Sequence, residues 1–168
     1  MKANFKRFIA ALLALTMTAA LCAVSLPVSA KTAEATNLIA NPGFETGTAD
    51  PWLLYADSAL VSDAYEGSYA LRVCSNGSYA KAARQQNIPF EANTDYVLTY
   101  WAKGDPNTDG TKGYHTYIVG GSDYHNTLAS NSINLSSEWT QYTIEFNSGE
   151  YTFGYVNFSC GSPDTNRS

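Results

Sequence analysis

The chain has 168 residues, a formal net charge of −5 and an aromatic content of 13%. That length suits one domain with a real core, and its acidic balance repels phosphate backbones and anionic lipid, so neither nucleic acid nor a membrane is expected as a partner. With 3 cysteines it is not a scaffold held by several disulfides.

At the N-terminus, Lys2, Lys6 and Arg7 precede an apolar run from Ile9 to Leu21, and Val28-Ser29-Ala30 offers a small-residue cleavage site. Residues 1–30 are therefore expected to be a secretion signal, since the apolar run is too short to span a bilayer comfortably. Cys22 does not make a lipoprotein site, because Leu21 stands where a small residue is wanted. A mature chain from Lys31 keeps seven Lys and Arg against fifteen Asp and Glu, a net charge of −8. It also keeps Cys74 and Cys160, whose pairing the sequence leaves open. All 12 tyrosines and 3 tryptophans follow the leader. A core of this size does not need so many hydroxyl-bearing rings, so some are expected to face water or a ligand.

Residues 31–36 read as a short polar linker, and 37–168 as one module. Leu38 and Ile39 open a strand, Asn41-Pro42-Gly43 turns the chain, Phe44 returns an aromatic to the core, and Glu45 places a carboxylate beside turn carbonyls. Short β-rich runs follow at 59–62, 69–74, 79–90, 96–103, 114–119, 139–146 and 151–159, broken by Gly, Asn, Asp, Ser and Pro. No helical period or heptad is present, so a β-sandwich or barrel is expected.

Alternation assigns faces. Tyr96, Leu98, Tyr100 and Ala102 share the core side of one strand, which puts Val97, Thr99, Trp101 and Lys103 on the other. Tyr142, Ile144 and Phe146 point inward opposite Gln141, Thr143 and Glu145. Val156 and Phe158 point inward opposite Tyr155 and Asn157. Trp52 and Trp139 read as packing residues. The polar tail from Asp164 to Ser168 carries no closing strand, so the sandwich is expected to lack its last strand and the sequence to be truncated at its C-terminus.

Four landmarks fall in order: Asn41-Pro42-Gly43-Phe44-Glu45 with Gly47 and Trp52, the segment Glu66 to Val73, the segment Ala92 to Gly104, and Glu138-Trp139-Thr140. In these the chain resembles carbohydrate-binding modules of the family 4/9/22 group. The resemblance implies an all-β jelly-roll β-sandwich of the galactose-binding-like kind. It also implies a structural Ca2+ near the end of the sandwich, held by Glu45 with oxygens from the Gly67-Ser68 turn. The family's closing strand with its Asp pair is not found.

The function expected is a non-catalytic, secreted module that binds plant cell-wall polysaccharide such as xylan or β-glucan. It would act as a monomeric unit within a longer chain, targeting an attached glycoside hydrolase. A pyranose presents an apolar face to an aromatic ring and hydroxyls to amides. Trp101, Tyr155, Asn157 and Gln141 are the expected sugar-binding residues, with Tyr79, Tyr117 and His115 as additions. The alternative is a structural or adhesive surface module without a sugar site.

Asp105 to Gly110 matches the first half of an EF-hand loop, but Thr116 stands where Glu is required, so an Asx-rich turn is expected. Ser122-Asp123-Tyr124-His125 lacks the surroundings of a nucleophile elbow. Glu138, Glu145 and Glu150 have no spacing that sets up a glycosidase pair, so no catalytic residues are expected.

Overall fold

The computed structural model describes residues 36–73, 83–104 and 114–160, together with the backbone of 3–7. Ten strands and no helix form three antiparallel sheets among these residues. In chain order they are β1 (Ala3–Arg7), β2 (Leu53–Leu54), β3 (Ala59–Val61), β4 (Ala70–Arg72), β5 (Ala83–Pro89), β6 (Asp95–Ala102), β7 (Tyr114–Gly120), β8 (Thr127–Ile133), β9 (Thr140–Asn147) and β10 (Phe153–Cys160). The five-stranded sheet runs β2-β5-β10-β7-β8, the three-stranded sheet β1-β6-β9, and β3 pairs with β4. The molecule is thus an all-β sandwich, as the sequence led us to expect.

Alternation explains the core. Tyr96, Leu98, Tyr100 and Ala102 of β6 are buried, as are Ile144 and Phe146 of β9 and Val156 and Phe158 of β10. Burying each large apolar side chain contributes about 1.5–3 kcal/mol. Phe44 packs on Trp52 with ring centroids 5.8 Å apart, Trp52 stacks on Phe158, and Phe158 meets Tyr100 edge-on at 5.1 Å. A second cluster joins Phe90, Tyr96 and Phe146. Between the sheets Tyr100 of β6 and Thr116 of β7 share a buried hydroxyl–hydroxyl hydrogen bond of 2.9 Å. Burial raises the Tyr100 phenol to about 12, with the Thr116 bond opposing that shift.

Three differences from the sequence expectations stand out. Residues 38–40 are not a ladder strand. Ile39 is buried as expected, but the Gln85 side-chain amide, not a neighbouring backbone, receives the Ala40 N–H at 2.9 Å and donates to the Ala40 carbonyl at 2.8 Å. β2 and β8 are strands that no periodicity announced, because β2 is two residues long and β8 is mostly Thr, Ser, Ala and Asn. Residues 3–7, inside the expected leader, lie antiparallel to β6 in register Ala3 to Tyr100. The run 105–110, Tyr79 and Cys74 lie outside the described residues. The Cys160 thiol donates to the Val73 carbonyl at 3.2 Å.

Candidate functional site

The expected sugar-binding residues divide between the two sheets. Trp101 and Gln141 are partners in register on β6 and β9 of the three-stranded sheet. Tyr155, Asn157 and Tyr117 lie on β10 and β7 of the five-stranded sheet. The expectation of one face bearing Trp101, Gln141, Tyr155 and Asn157 is therefore corrected. Alternation within each strand had fixed inside from outside, but it carries no information on which sheet a strand joins.

On the three-stranded side, Trp101 is already stacked. The Tyr65 ring lies parallel to it at 4.0 Å and 11°, and Trp139 leans against Tyr65 at 6.1 Å. The Lys103 ammonium sits 5.1 Å from the Trp139 ring centroid and pairs with Asp63 at 2.7 Å. This cluster ties the loop after β3 to the sheet, so Trp101 packs mainly against its own chain. An open hollow of about 460 Å³ lies elsewhere on this sheet, lined by Asp95, Val97, Glu145 and Asn147.

The five-stranded sheet builds a different surface. With Ala83, Val156, Phe158, Thr116 and Ile118 directed into the core, the alternate residues lie on the opposite face of the sheet, where Tyr117 and His115 are half-buried and Arg84, Asn157, Tyr155 and Ser159 are buried. Register aligns Leu53, Arg84, Asn157, Tyr117 and Ser130 in one row across all five strands. Strands lie about 4.8 Å apart, so the row is roughly 19 Å long. Beside it, Ser159, His115 and Ser132 form a shorter row. His115 stacks against Tyr117 with centroids 6.1 Å apart, and its Nδ1 lies 2.6 Å from the Ser132 hydroxyl.

Arg84 lies on β5, between β2 and the central strand β10, and no sequence motif marked it. Its guanidinium sits between two rings, 4.6 Å from the Tyr124 centroid and 4.5 Å from that of Tyr155. Nη1 donates to the Tyr124 hydroxyl at 2.7 Å. Burial raises the Tyr155 phenol above its ordinary value, and the adjacent Arg84 charge opposes the rise. Tyr124 belongs to the Ser122-Asp123-Tyr124-His125 turn between β7 and β8, where Asp123 accepts the His125 amide at 3.1 Å. That segment is therefore an exposed turn that sets a ring over Arg84. A lone arginine in a strand gives no signal by itself. Only the fold brings it under a tyrosine forty positions away.

Among the described residues, two polar atoms here have no hydrogen-bond partner. Arg84 Nε and Asn157 Oδ1 are both buried and unbonded, on residues directly opposite each other on β5 and β10. One is a donor and the other an acceptor. Buried polar groups are usually satisfied, and leaving one unmade costs about 1–3 kcal/mol. A hydroxyl, which accepts and donates at once, answers both.

At the opening turn, the Glu45 carboxylate lies against the Gly67-Ser68 segment. Its carboxylate accepts the Ser68 amide at 3.0 Å and the Tyr69 amide at 3.3 Å. Among the described residues, no group of three His, Cys, Asp or Glu side chains gathers to hold a metal.

A β-sandwich whose outer sheet carries a row of rings, amides and hydroxyls, with an unanswered donor and acceptor at its centre, has the architecture of a ligand-binding module. The chain belongs to the carbohydrate-binding domain family, CBM_4_9, whose model matches residues 36–165. A comparison with the curated proteins returns no match.

Proposed function

We propose that this chain is a non-catalytic carbohydrate-binding module whose site is the outer face of the five-stranded sheet. The observation that carries the proposal is the pair Arg84 Nε and Asn157 Oδ1, buried, opposite in polarity and unmatched among the described residues, in the row that includes Tyr117, with Tyr155 two positions from Asn157 along β10. A pyranose hydroxyl satisfies both atoms, while its apolar face lies on a tyrosine ring. Xylan or β-glucan of plant cell walls is the proposed polymer, since a row across the sheet suits a linear chain. Secretion through residues 1–30 and attachment to a glycoside hydrolase complete the role.

Calcium enters as a proposed stabiliser of the Glu45 turn. A hard cation takes about six to eight oxygens. Glu45 and the Ser68 hydroxyl would be its side-chain ligands, with backbone carbonyls and water supplying the balance.

Isothermal titration against xylo- and cello-oligosaccharides tests the sugar site. Micromolar to millimolar affinity is expected, about −4 to −8 kcal/mol, because an open face desolvates few hydroxyls. No heat and no change in aromatic fluorescence with any glycan, neutral or acidic, would overturn the proposal in favour of an adhesive module.

A further inference from the structure

The outer face of the three-stranded sheet carries exposed rings of its own. Tyr65, on the loop after β3, is 45% exposed. One face of its ring is covered, because Trp101 stacks against it at 4.0 Å and 11°. Trp139 meets the same ring at a tilt, 6.1 Å away. The exposure of Tyr65 therefore falls on its opposite face and rim. A lone exposed tyrosine needs no explanation. This one is held flat by a second ring beneath it and framed by polar side chains. Asp63 pairs through Oδ2 with Lys103 at 2.7 Å, its side chain is 69% exposed, and its Oδ1 has no partner among the described residues. Gln141 is exposed and is the partner of Trp101 in register across β6 and β9, which sets their Cβ atoms about 5 Å apart.

We propose that this cluster is a second sugar-binding site, in which one pyranose of a neutral polysaccharide lies on the exposed face of Tyr65 while Asp63 and Gln141 bond its hydroxyls. The apolar C–H face of a sugar ring matches the electron-rich face of an aromatic ring. Its hydroxyls then project past the rim of the tyrosine and need both acceptors and donors. The Asp63 carboxylate accepts, and the Gln141 amide does both. Trp101 holds Tyr65 in place, so binding costs little side-chain entropy. A platform of one ring is shallow, and a short soluble oligosaccharide gains little from it. Its effect is on a polymer. The outer faces of the two sheets lie on opposite sides of the sandwich, so one module holds two chains, and the second contact raises retention through multivalency. The two faces share no residues, so either site can fail alone.

Two measurements on the full chain test the second site. In the first, the unaltered protein is mixed with a soluble xylan or β-glucan of high molecular mass and followed by light scattering. A module with two sites bridges chains, so scattering should rise at least about twofold and fall back when a short oligosaccharide is added in excess. No rise would overturn the inference, and this reading involves no variant that might fail to fold. In the second, Tyr65→Ala and Tyr65→Phe are compared with the wild type for retention on the insoluble polysaccharide and for Kd with a soluble oligosaccharide. Tyr65→Ala should lose the scattering rise and about fivefold of its retention while its Kd stays within about twofold, and Tyr65→Phe, which keeps the ring, should match the wild type. Equal retention of Tyr65→Ala and wild type would overturn the inference and leave the site on the five-stranded sheet standing. A loss of Kd in Tyr65→Ala as large as its loss of retention would also overturn it, because one site would then explain both. Protein that neither scatters with the polymer nor binds the oligosaccharide would overturn the glycan reading of both faces.

Discussion

Arg84 and Asn157 stand opposite each other on β5 and β10, and each holds one buried polar atom that is unmatched among the described residues. Their neighbours in the same row are Leu53 on one side and Tyr117 on the other. The backbone ladder fixes the spacing of this row, and the core beneath it, Ala83, Val156, Phe158 and Thr116, holds the sheet in place. The proposed site is therefore pre-formed by packing. Ligand binding has little backbone left to order, which limits the entropic cost of association.

Tyr117 provides the cleanest test of that row. It is half-buried, its described ring contact is His115, and the core packing beneath it comes from other residues. Tyr117→Ala should weaken binding to a soluble oligosaccharide by about 1–2 kcal/mol, near tenfold or somewhat more in Kd. The melting temperature should move only slightly. Calorimetric titration beside a thermal melt separates the two effects, and an unchanged Kd would remove Tyr117 from the site.

Trp101 should behave in the opposite way. Its ring is stacked on Tyr65 at 4.0 Å on the other sheet, and that stack anchors the loop after β3. Trp101→Ala should cost about 1–3 kcal/mol of stability, from the lost stack and the lost buried area, and leave the Kd for soluble oligosaccharides within about twofold. A denaturant titration reads the first effect and calorimetry the second. A tenfold loss of affinity in a folded Trp101→Ala protein would return the sugar site to the three-stranded sheet.

The contrast between these two residues shows how much the sequence could say. Alternation along Tyr96 to Lys103 and Tyr142 to Phe146 gave the correct inner and outer faces, because period-two burial is a local property. Sheet membership is not local, so Trp101 and Tyr155 could be judged outward-facing and still lie on different sheets. β8 was hidden because Thr127 to Ile133 has almost no apolar alternation, as suits a strand at a sheet edge. Ala40 looked like strand because Leu38 and Ile39 precede it, yet its pairing partner is the Gln85 side-chain amide, which no pattern encodes. Arg84 was unreadable for a similar reason. Its role depends on Tyr124 and Tyr155, which arrive from a turn and another strand.

Alkaline pH should expose the contribution of Tyr100. Its phenol is raised to about 12 in the fold by burial, against about 10 for an exposed tyrosine. Below pH 10 both folded and unfolded chains keep the proton, and the full stability is present. Between about pH 10 and pH 12 the unfolded chain ionises first, so stability falls as pH rises, by about 3 kcal/mol from this residue. Tyr114, also raised by burial, acts in the same direction. Urea midpoints measured across this range should decline, and Tyr100→Phe should flatten the decline. An identical slope in Tyr100→Phe would show that the loss comes from other groups.

Gly67 is the position where the opening turn is most sensitive. Its φ is +80°, and a Cβ built there would clash with Glu45 Oε1 and lie 2.6 Å from its carboxyl carbon. Gly67→Ala should therefore cost about 1–2 kcal/mol for the left-handed backbone alone. Displacing the Glu45 carboxylate from the Ser68 and Tyr69 amides adds to that cost. Glu45→Gln keeps the shape and removes the charge, so it separates the two roles proposed for this side chain. If calcium binds here, the wild-type melting temperature should rise on adding calcium and fall back with a chelator, and Glu45→Gln should lose that response while staying folded. If the carboxylate serves only the two amides, the wild type should melt at the same temperature with and without calcium, and Glu45→Gln should be destabilised equally under both conditions.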